Sequence, residues 1–423
     1  MPPSCPAEPQ VPPRGRWWPW KVCFFLLLAT AMSYLQRQSL SIAAPVIQRE
    51  MRLDNAQLGL LLSAFFYSYA FGHLVVGWIL DRFPMRGTYA LFVGLWSLSQ
   101  VFSGLSRGFG SFMGSRVALG GFEAAAQPGA ARIIAAIVPE KDRPLANGIM
   151  MSGGSLGAII APPLMILLID SIGWRYGFTI LGGLGALWTL AWLAWFRPPA
   201  GAIRANREER KLTAQDEWGA ILRNPRFWAC VGGGVFATPI IHISSSWIPT
   251  YLVQQWNLPL NAGLGIYLII IYAGLDLGFL MGGAASTLLT RAGMPVGRSR
   301  QIVMTAATVC MLAAVAVPLV PNAMWAVLCV FLLNFGRASY GANYLAFNQE
   351  IAPNRVGLMA GIMGSIGAFS GALLVWAIGL ISKAAGFRIP FFMLGALAVL
   401  GLAPILLVSW DNHRLAQSGA DRA

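Results

Sequence analysis

Residues 114–139 read GSRVALGGFEAAAQPGAARIIAAIVP. The run is apolar and of membrane length, yet Arg116 and Glu123 stand well inside it, where an unpaired charge costs on the order of 3 kcal/mol. Two helical turns separate them, so they share one face about 10 Å apart along the axis. Small residues between and after them (Gly114, Gly120, Gly121, Ala124, Ala125, Ala126) let another helix or a ligand approach the backbone closely. Ionisable groups at that depth mark substrate or ion paths more often than simple helix locks. The stretch therefore reads as the wall of a polar site inside a membrane protein.

Working outward, the whole chain fits that reading. Of its 423 residues 57% are hydrophobic and only 11% charged, which is not a soluble composition. A helix needs about 20 apolar residues to cross the hydrocarbon core. Twelve such runs can be placed, at 20–47, 56–80, 87–105, 112–138, 145–169, 174–196, 227–253, 263–289, 302–320, 323–351, 357–382 and 388–409. No segment between them is long enough for a core of its own. The expected architecture is an all-α integral membrane protein with 12 transmembrane helices. It divides into a tail (1–19), a first six-helix bundle (20–196), a linker (197–226), a second bundle (227–409) and a tail (410–423).

The formal net charge of +14 invites a polyanion-binding reading, which its distribution removes. With both termini in the cytoplasm, 20 of the 30 Lys and Arg residues fall on the cytoplasmic face. That is the positive-inside bias, and no nucleic acid is implied. Cys5, Cys23, Cys230, Cys310 and Cys329 show neither metal spacing nor a disulfide framework. No metal or cofactor is expected. The N-terminal RGRWWPWK, with the run VCFFLLL after it, imitates a secretory leader. Because the apolar run continues to Ile47, it reads instead as an interfacial anchor before a first span.

That first span carries Arg37, a second charge at membrane depth. The second ends in GWILDRFPMRG, residues 77–87, where Asp81, Arg82 and Arg86 cluster at a helix end and suit salt bridges that switch between conformations. The spacing G-x-x-x-D-R-x-x-x-R resembles the signature loop of the major facilitator superfamily, with Pro84 where a second glycine is usual. The polar stretch 197–226 reads as an amphipathic linker on anionic headgroups. The two halves repeat. Gly148-Ile149-Met150, Ser152, Gly154, Gly173, Arg175, Phe178, Leu181 and Gly182 recur, at one constant offset, as Gly361-Ile362-Met363, Ser365, Gly367, Gly386, Arg388, Phe391, Leu394 and Gly395. Two pseudo-symmetric six-helix halves with a site between them near the midplane are the facilitator architecture. At the same offset Arg116 and Glu123 become Cys329 and Gly336, and Thr287 takes the place of the loop Asp. Ion and substrate chemistry is thus expected in the first half. In the second half, His242 reads as a hydrogen-bonded packing residue. Asp276, mid-helix, needs a proton, a cation or a basic partner. Arg337, Asn343, Tyr344 and Asn348 add polar groups to one span.

The segments YLQRQSLSIAAPVI, the run from Tyr69 to Arg82, RVALGGFEAAAQP, SGGSLGAIIAPPL with GWRYGF, and WIPTYL resemble the anion:cation symporter family of that superfamily. Within it they are most like hexuronate and other sugar-acid transporters. The resemblance implies that Arg37 and Tyr69 hold the organic anion, and that Arg116 pairs with and tunes the acidic site. It further implies that Glu123 is the protonatable coupling residue and that Asn343 binds substrate hydroxyls. It also implies a monomer in the inner membrane, taking a small organic anion with a proton as coupling ion. Gln36 departs from the family, which commonly has Asp there, and leaves proton stoichiometry, or sodium in place of protons, open. So does the substrate, with aromatic and dicarboxylic acids as alternatives. An intramembrane enzyme would need a nucleophile with its base or a metal cluster, and His73, His242 and His413 are too scattered to supply one. A transport-derived sensor would need an appended signalling domain.

Overall fold

The computed structural model describes residues 17–139, 142–197, 218–351 and 356–408. Both tails, most of the linker and the side chain of Asp81 lie outside the described residues. The described residues are almost wholly helical. In order come α1 (Trp18–Met51), α2 (Asn55–Arg82), α3 (Met85–Leu105), α4 (Phe109–Glu123), α5 (Ala126–Ile137), α6 (Arg143–Ile172) and α7 (Trp174–Trp195). After the short α8 (Trp218–Arg223) follow α9 (Pro225–Trp256), α10 (Ala262–Arg291), α11 (Val296–Met311) with a 3-10 extension (Leu312–Leu319), α12 (Ala323–Ile351), α13 (Val356–Ala385) and α14 (Arg388–Leu406).

These residues form helices because lipid offers the backbone no partner, so each spanning segment must close its own hydrogen bonds. Among the described residues, nine helices are individually long and apolar enough to cross a membrane. The bundle's outside is apolar as well: Leu91, Leu167, Leu190, Leu280 and Val309 all stand exposed, as side chains facing acyl tails do. With α4 and α5 together making the fourth span, the helices give twelve crossings, six on each side of the linker.

The break between α4 and α5 departs from the single helix expected over 112–138. Pro128 has no N–H for the Ala124 carbonyl, and its ring crowds that oxygen. The helix tightens, with the Ala125 N–H turning back to Phe122 O at 3.2 Å, and restarts at Ala126. Glu123 is left on the last turn before a joint.

The sequence repeat has a backbone counterpart. Gly173, between α6 and α7, and Gly386, between α13 and α14, both sit at positive φ, +85° and +69°. A Cβ is disfavoured in that region, so each half turns the same corner with the same residue. The asymmetry is also visible. Gly336, which stands where Glu123 would fall, packs so closely on α11 that a Cβ would lie 2.9 Å from the Met311 nitrogen.

The halves meet where α2 packs on α13, α1 on α9 and α6 on α10. At the end bearing the α1–α2 turn they are clasped. Gln254 donates to Gln48 Oε1 (3.0 Å) and Asn55 Oδ1 (3.2 Å), and Lys383 Nζ donates to Asp54 Oδ2 at 2.9 Å. Just below, Gly59 and Gly379 bring two backbones together: a Cβ on Gly59 would stand 3.0 Å from the Gly379 Cα.

Asp54 also caps α2, accepting the Gln57 N–H at 2.8 Å while Gln57 accepts from the Asp54 N–H. The Gln57 N–H first, and Lys383 second, hold the Asp54 carboxyl below the ordinary carboxylate range. A lowered folded-state value means the stabilisation is complete above the unfolded value, about 3.9, and is lost as pH falls through the folded one. Asp54→Ala is expected to cost about 1 kcal/mol at pH 7 through the lost cap. Melting curves of wild type and variant should converge as pH falls through that folded-state value. A gap unchanged at low pH would remove this role from Asp54.

Candidate functional site

Arg37 and Glu123 meet at the middle of the first half. Arg37 lies 14 residues before the end of α1, about 21 Å along the axis. Its Nε and Nη2 both donate to Glu123 Oε1, at 3.0 and 2.5 Å, and Ser33 Oγ adds a third bond at 3.1 Å. Glu123 Oε2 takes no hydrogen bond. One carboxylate oxygen is therefore crowded with donors while the other is bare.

Aromatic faces complete the arginine's surroundings. The rings of Tyr34, Phe65 and Tyr69 each have their centroid 4.9 Å from the Arg37 guanidinium carbon. Such contacts hold a cation without neutralising it. Arg116 lies across the same Phe65 ring, 5.4 Å from its centroid. It is buried, and its Nε and Nη1 have no hydrogen-bond partner. Two guanidinium groups thus share one ring and one carboxylate, and it is Arg37 that holds the hydrogen bonds to Glu123.

Close packing lets the charges converge. Gly72 of α2 faces α4 so tightly that a Cβ there would sit 2.6 Å from the Ala124 Cβ and 2.7 Å from the Gly121 oxygen. Burial then separates the roles: Glu123 is wholly enclosed, whereas the Arg37 side chain keeps 19% of its surface accessible.

Beside the pair, Gln36 is fully buried and donates to Leu181 O at 2.9 Å. The residue at the family's Asp position is thereby tied to α7. Tyr69 stands edge-on to His73, 4.4 Å between ring centroids. Across the seam between halves, the His242 ring packs 4.3 Å from Phe66, and its Nδ1 takes no hydrogen bond, unlike the hydrogen-bonded packing residue expected.

The other candidates stand apart from the ion pair. Asn343 is buried, and its Nδ2 donates to Gly282 O (3.2 Å) and Ser339 O (3.0 Å) where α12 packs on α10. Asp276 is half-buried, with no hydrogen bond or ion pair among the described residues. It falls on the helix face of α10 that also carries Gly265, where a Cβ would touch Ile166 of α6 at 3.4 Å, so it faces the α6–α10 seam. Arg82 is exposed and lies over the Trp78 ring, 4.4 Å from its centroid. Arg86 donates to the Leu193 carbonyl near the end of α7, a favourable place for a cation. Asp81, their neighbour, lies outside the described side chains.

Ser33, Tyr34 and Phe65 did not appear among the residues singled out from sequence. Helical spacing was the available signal. Ser33 and Tyr34 stand four and three residues before Arg37, and Phe65 four before Tyr69, so each shares a face with a residue already marked.

Known proteins bear on this geometry. A hexuronate transporter of Escherichia coli (strain K12) is 26% identical over 407 residues, covering 92% of this chain and 93% of its own. A D-galactonate transporter of Escherichia coli O6:H1 is 26% identical over 417 residues, covering 92% and 95%. Among solved structures, a bacterial homolog of the human lysosomal transporter Spinster, in an inward-facing occupied conformation, superposes with a TM-score of 0.75 at 21% identity. It covers 93% of this chain and 97% of its own, and supports the fold alone. The family model described as Major Facilitator Superfamily matches residues 26–375. With its twelve crossings, its repeated halves and its central charges, the chain belongs to the Major Facilitator Superfamily, a family of membrane transporters.

Proposed function

We propose that this protein carries a sugar acid, a hexuronate or a close relative, across the inner membrane by proton-coupled alternating access. The observation that carries the proposal is the Arg37–Glu123 pair, buried midway through the first half. The names of its relatives, transporters of hexuronate and D-galactonate, supply the substrate class.

The charges give a mechanism. Arginine stays protonated, so Arg37 is a permanent cation able to grip a carboxylate with two parallel bonds. While Glu123 is ionised it occupies that fork. Proton uptake on Glu123 releases Arg37 to the substrate carboxylate, with Tyr69 beside it and the Asn343 Oδ1 as a candidate acceptor for a substrate hydroxyl. The loaded carrier then rocks. On the other side the substrate leaves, the proton follows, and Glu123 recaptures Arg37. Asp276, on the seam between halves, is the second candidate for coupling. Arg82 and Arg86 are candidates for stabilising one end of the cycle.

Assigning the basic face to the cytoplasm puts both termini there and makes the clasped α1–α2 end the outer one. The conformation described is then closed to the outside. The carrier works as a monomer and imports its substrate. Ligand-induced thermal stabilisation against hexuronates, aldonates, aldarates, aromatic acids and neutral sugars, at two pH values with and without sodium, tests this reading. The expected result is a shift with sugar acids that depends on pH and not on sodium. A shift confined to aromatic acids would discard the sugar-acid assignment, and one that requires sodium would discard the proton.

A further inference from the structure

Arg337 of α12 is a third buried arginine at membrane depth, and the cycle above gives it no work. It is 7% exposed. Its Nε donates to the Ala237 carbonyl of α9 at 2.7 Å, and among the described residues it has no carboxylate partner. Tyr340 and Tyr344, three and seven residues further along α12, share its helix face. Both of their hydroxyls are engaged elsewhere, donating to Gly401 O and Cys230 O. A guanidinium held in a membrane without a counter-charge is costly, and such residues mark the route of an ion or substrate.

Its setting is built for an anion. Anchoring through Nε leaves the Nη1–Nη2 edge, the end that takes a carboxylate with two bonds. Gly341, one turn on, accommodates the guanidinium itself: a Cβ there would come within 2.7 Å of Arg337 Nη1. Finally, Arg337 is tied to Ala237, and five residues further along α9 the His242 ring packs against Phe66 across the seam, next in the chain to Phe65, whose ring lies 4.9 Å from the Arg37 guanidinium carbon. The two cations therefore flank the same seam, one from each half.

We infer that Arg337 is a second carboxylate subsite, so that the preferred substrate is a sugar acid with a carboxylate at each end, an aldarate. Arg37 takes one terminus and Arg337 the other, and the substrate itself bridges the two halves. A hexuronate has a carboxylate for Arg37 alone. The inference rests on the sugar-acid reading above and narrows it.

The test is binding to purified full-length protein, with galactarate and glucarate as dianions and galacturonate and glucuronate as monoanions. Wild type should bind the dianions about tenfold more tightly. Arg337→Gln should lose that preference and keep its affinity for the monoanions within about twofold. Arg337→Lys, which retains the charge and a donor to Ala237 O, should restore much of the preference and controls for a purely structural role. Equal losses for both classes in Arg337→Gln would make Arg337 a helix tether and overturn the subsite. If Arg337→Gln does not fold, the wild-type comparison decides, since a preference for monoanions overturns the inference while leaving sugar-acid transport intact. No binding of any sugar acid to wild type would overturn the transport reading itself.

Discussion

Arg37→Ala is expected to weaken sugar-acid binding by at least about 100-fold, because truncating one partner of a desolvated, hydrogen-bonded charge pair costs 2–5 kcal/mol or more. In this site Arg37 combines partial accessibility with a permanent positive charge, whereas Arg116 is more deeply enclosed and packs on Phe65. The variant also removes both guanidinium bonds to Glu123. Ser33 remains as a donor, and Arg116 remains within range of the carboxylate, so the bundle should still fold. Arg37→Lys separates charge from geometry. A point charge cannot form the two parallel bonds of a guanidinium, so partial binding is expected. Titration calorimetry on detergent-purified protein, with expression and melting temperature as controls for folding, reads both. Wild-type affinity in Arg37→Ala would take the substrate site away from α1.

Glu123→Gln is expected to separate exchange from accumulation. The amide resembles the protonated acid in shape, so Arg37 stays free for substrate and the carrier can still rock when loaded. Counterflow between two substrate pools should continue near its normal rate. Uptake driven by a pH gradient should fall from concentrative to mere equilibration, because no proton is bound or released at this position. Binding affinity should also lose its pH dependence. Reconstituted vesicles with imposed pH gradients give both measurements on one preparation. Accumulation at the wild-type level would move coupling to Asp276 or to another group.

Much of this was readable in the sequence, and the unread parts share a cause. Spans are properties of single segments, and lipid makes them legible by requiring about 20 apolar residues for each. The repeat was legible because equivalent corners need equivalent residues, as Gly173 and Gly386 show through their positive φ. Arg37, Arg116 and Glu123 declared themselves by being charged where charge is costly. The resemblance paired Arg116 with the acidic site, whereas the hydrogen bonds to Glu123 come from Arg37, since that depends on how α1, α2 and α4 are laid side by side. The break after Glu123 was signalled by Pro128 but overridden by the apolar run around it. The commitment of Asn343 to the carbonyls of Gly282 and Ser339 is likewise a matter of neighbours, invisible along one helix.

The contact of Gly59 with Gly379 has a mechanical consequence. With no side chain between them, α2 and α13 touch backbone to backbone near one end, and a stiff helix pivoted near its end is a lever. From Gly59 to Arg82 at the end of α2 the arm is about 35 Å, so a swing of only about 10° carries the far tip through about 6 Å. That arc is comparable with the width of one sugar ring. In the proposed cycle, a pivot this close to the rim would admit a small solute at the opposite mouth after a tilt too slight to strip the glycines of their contact.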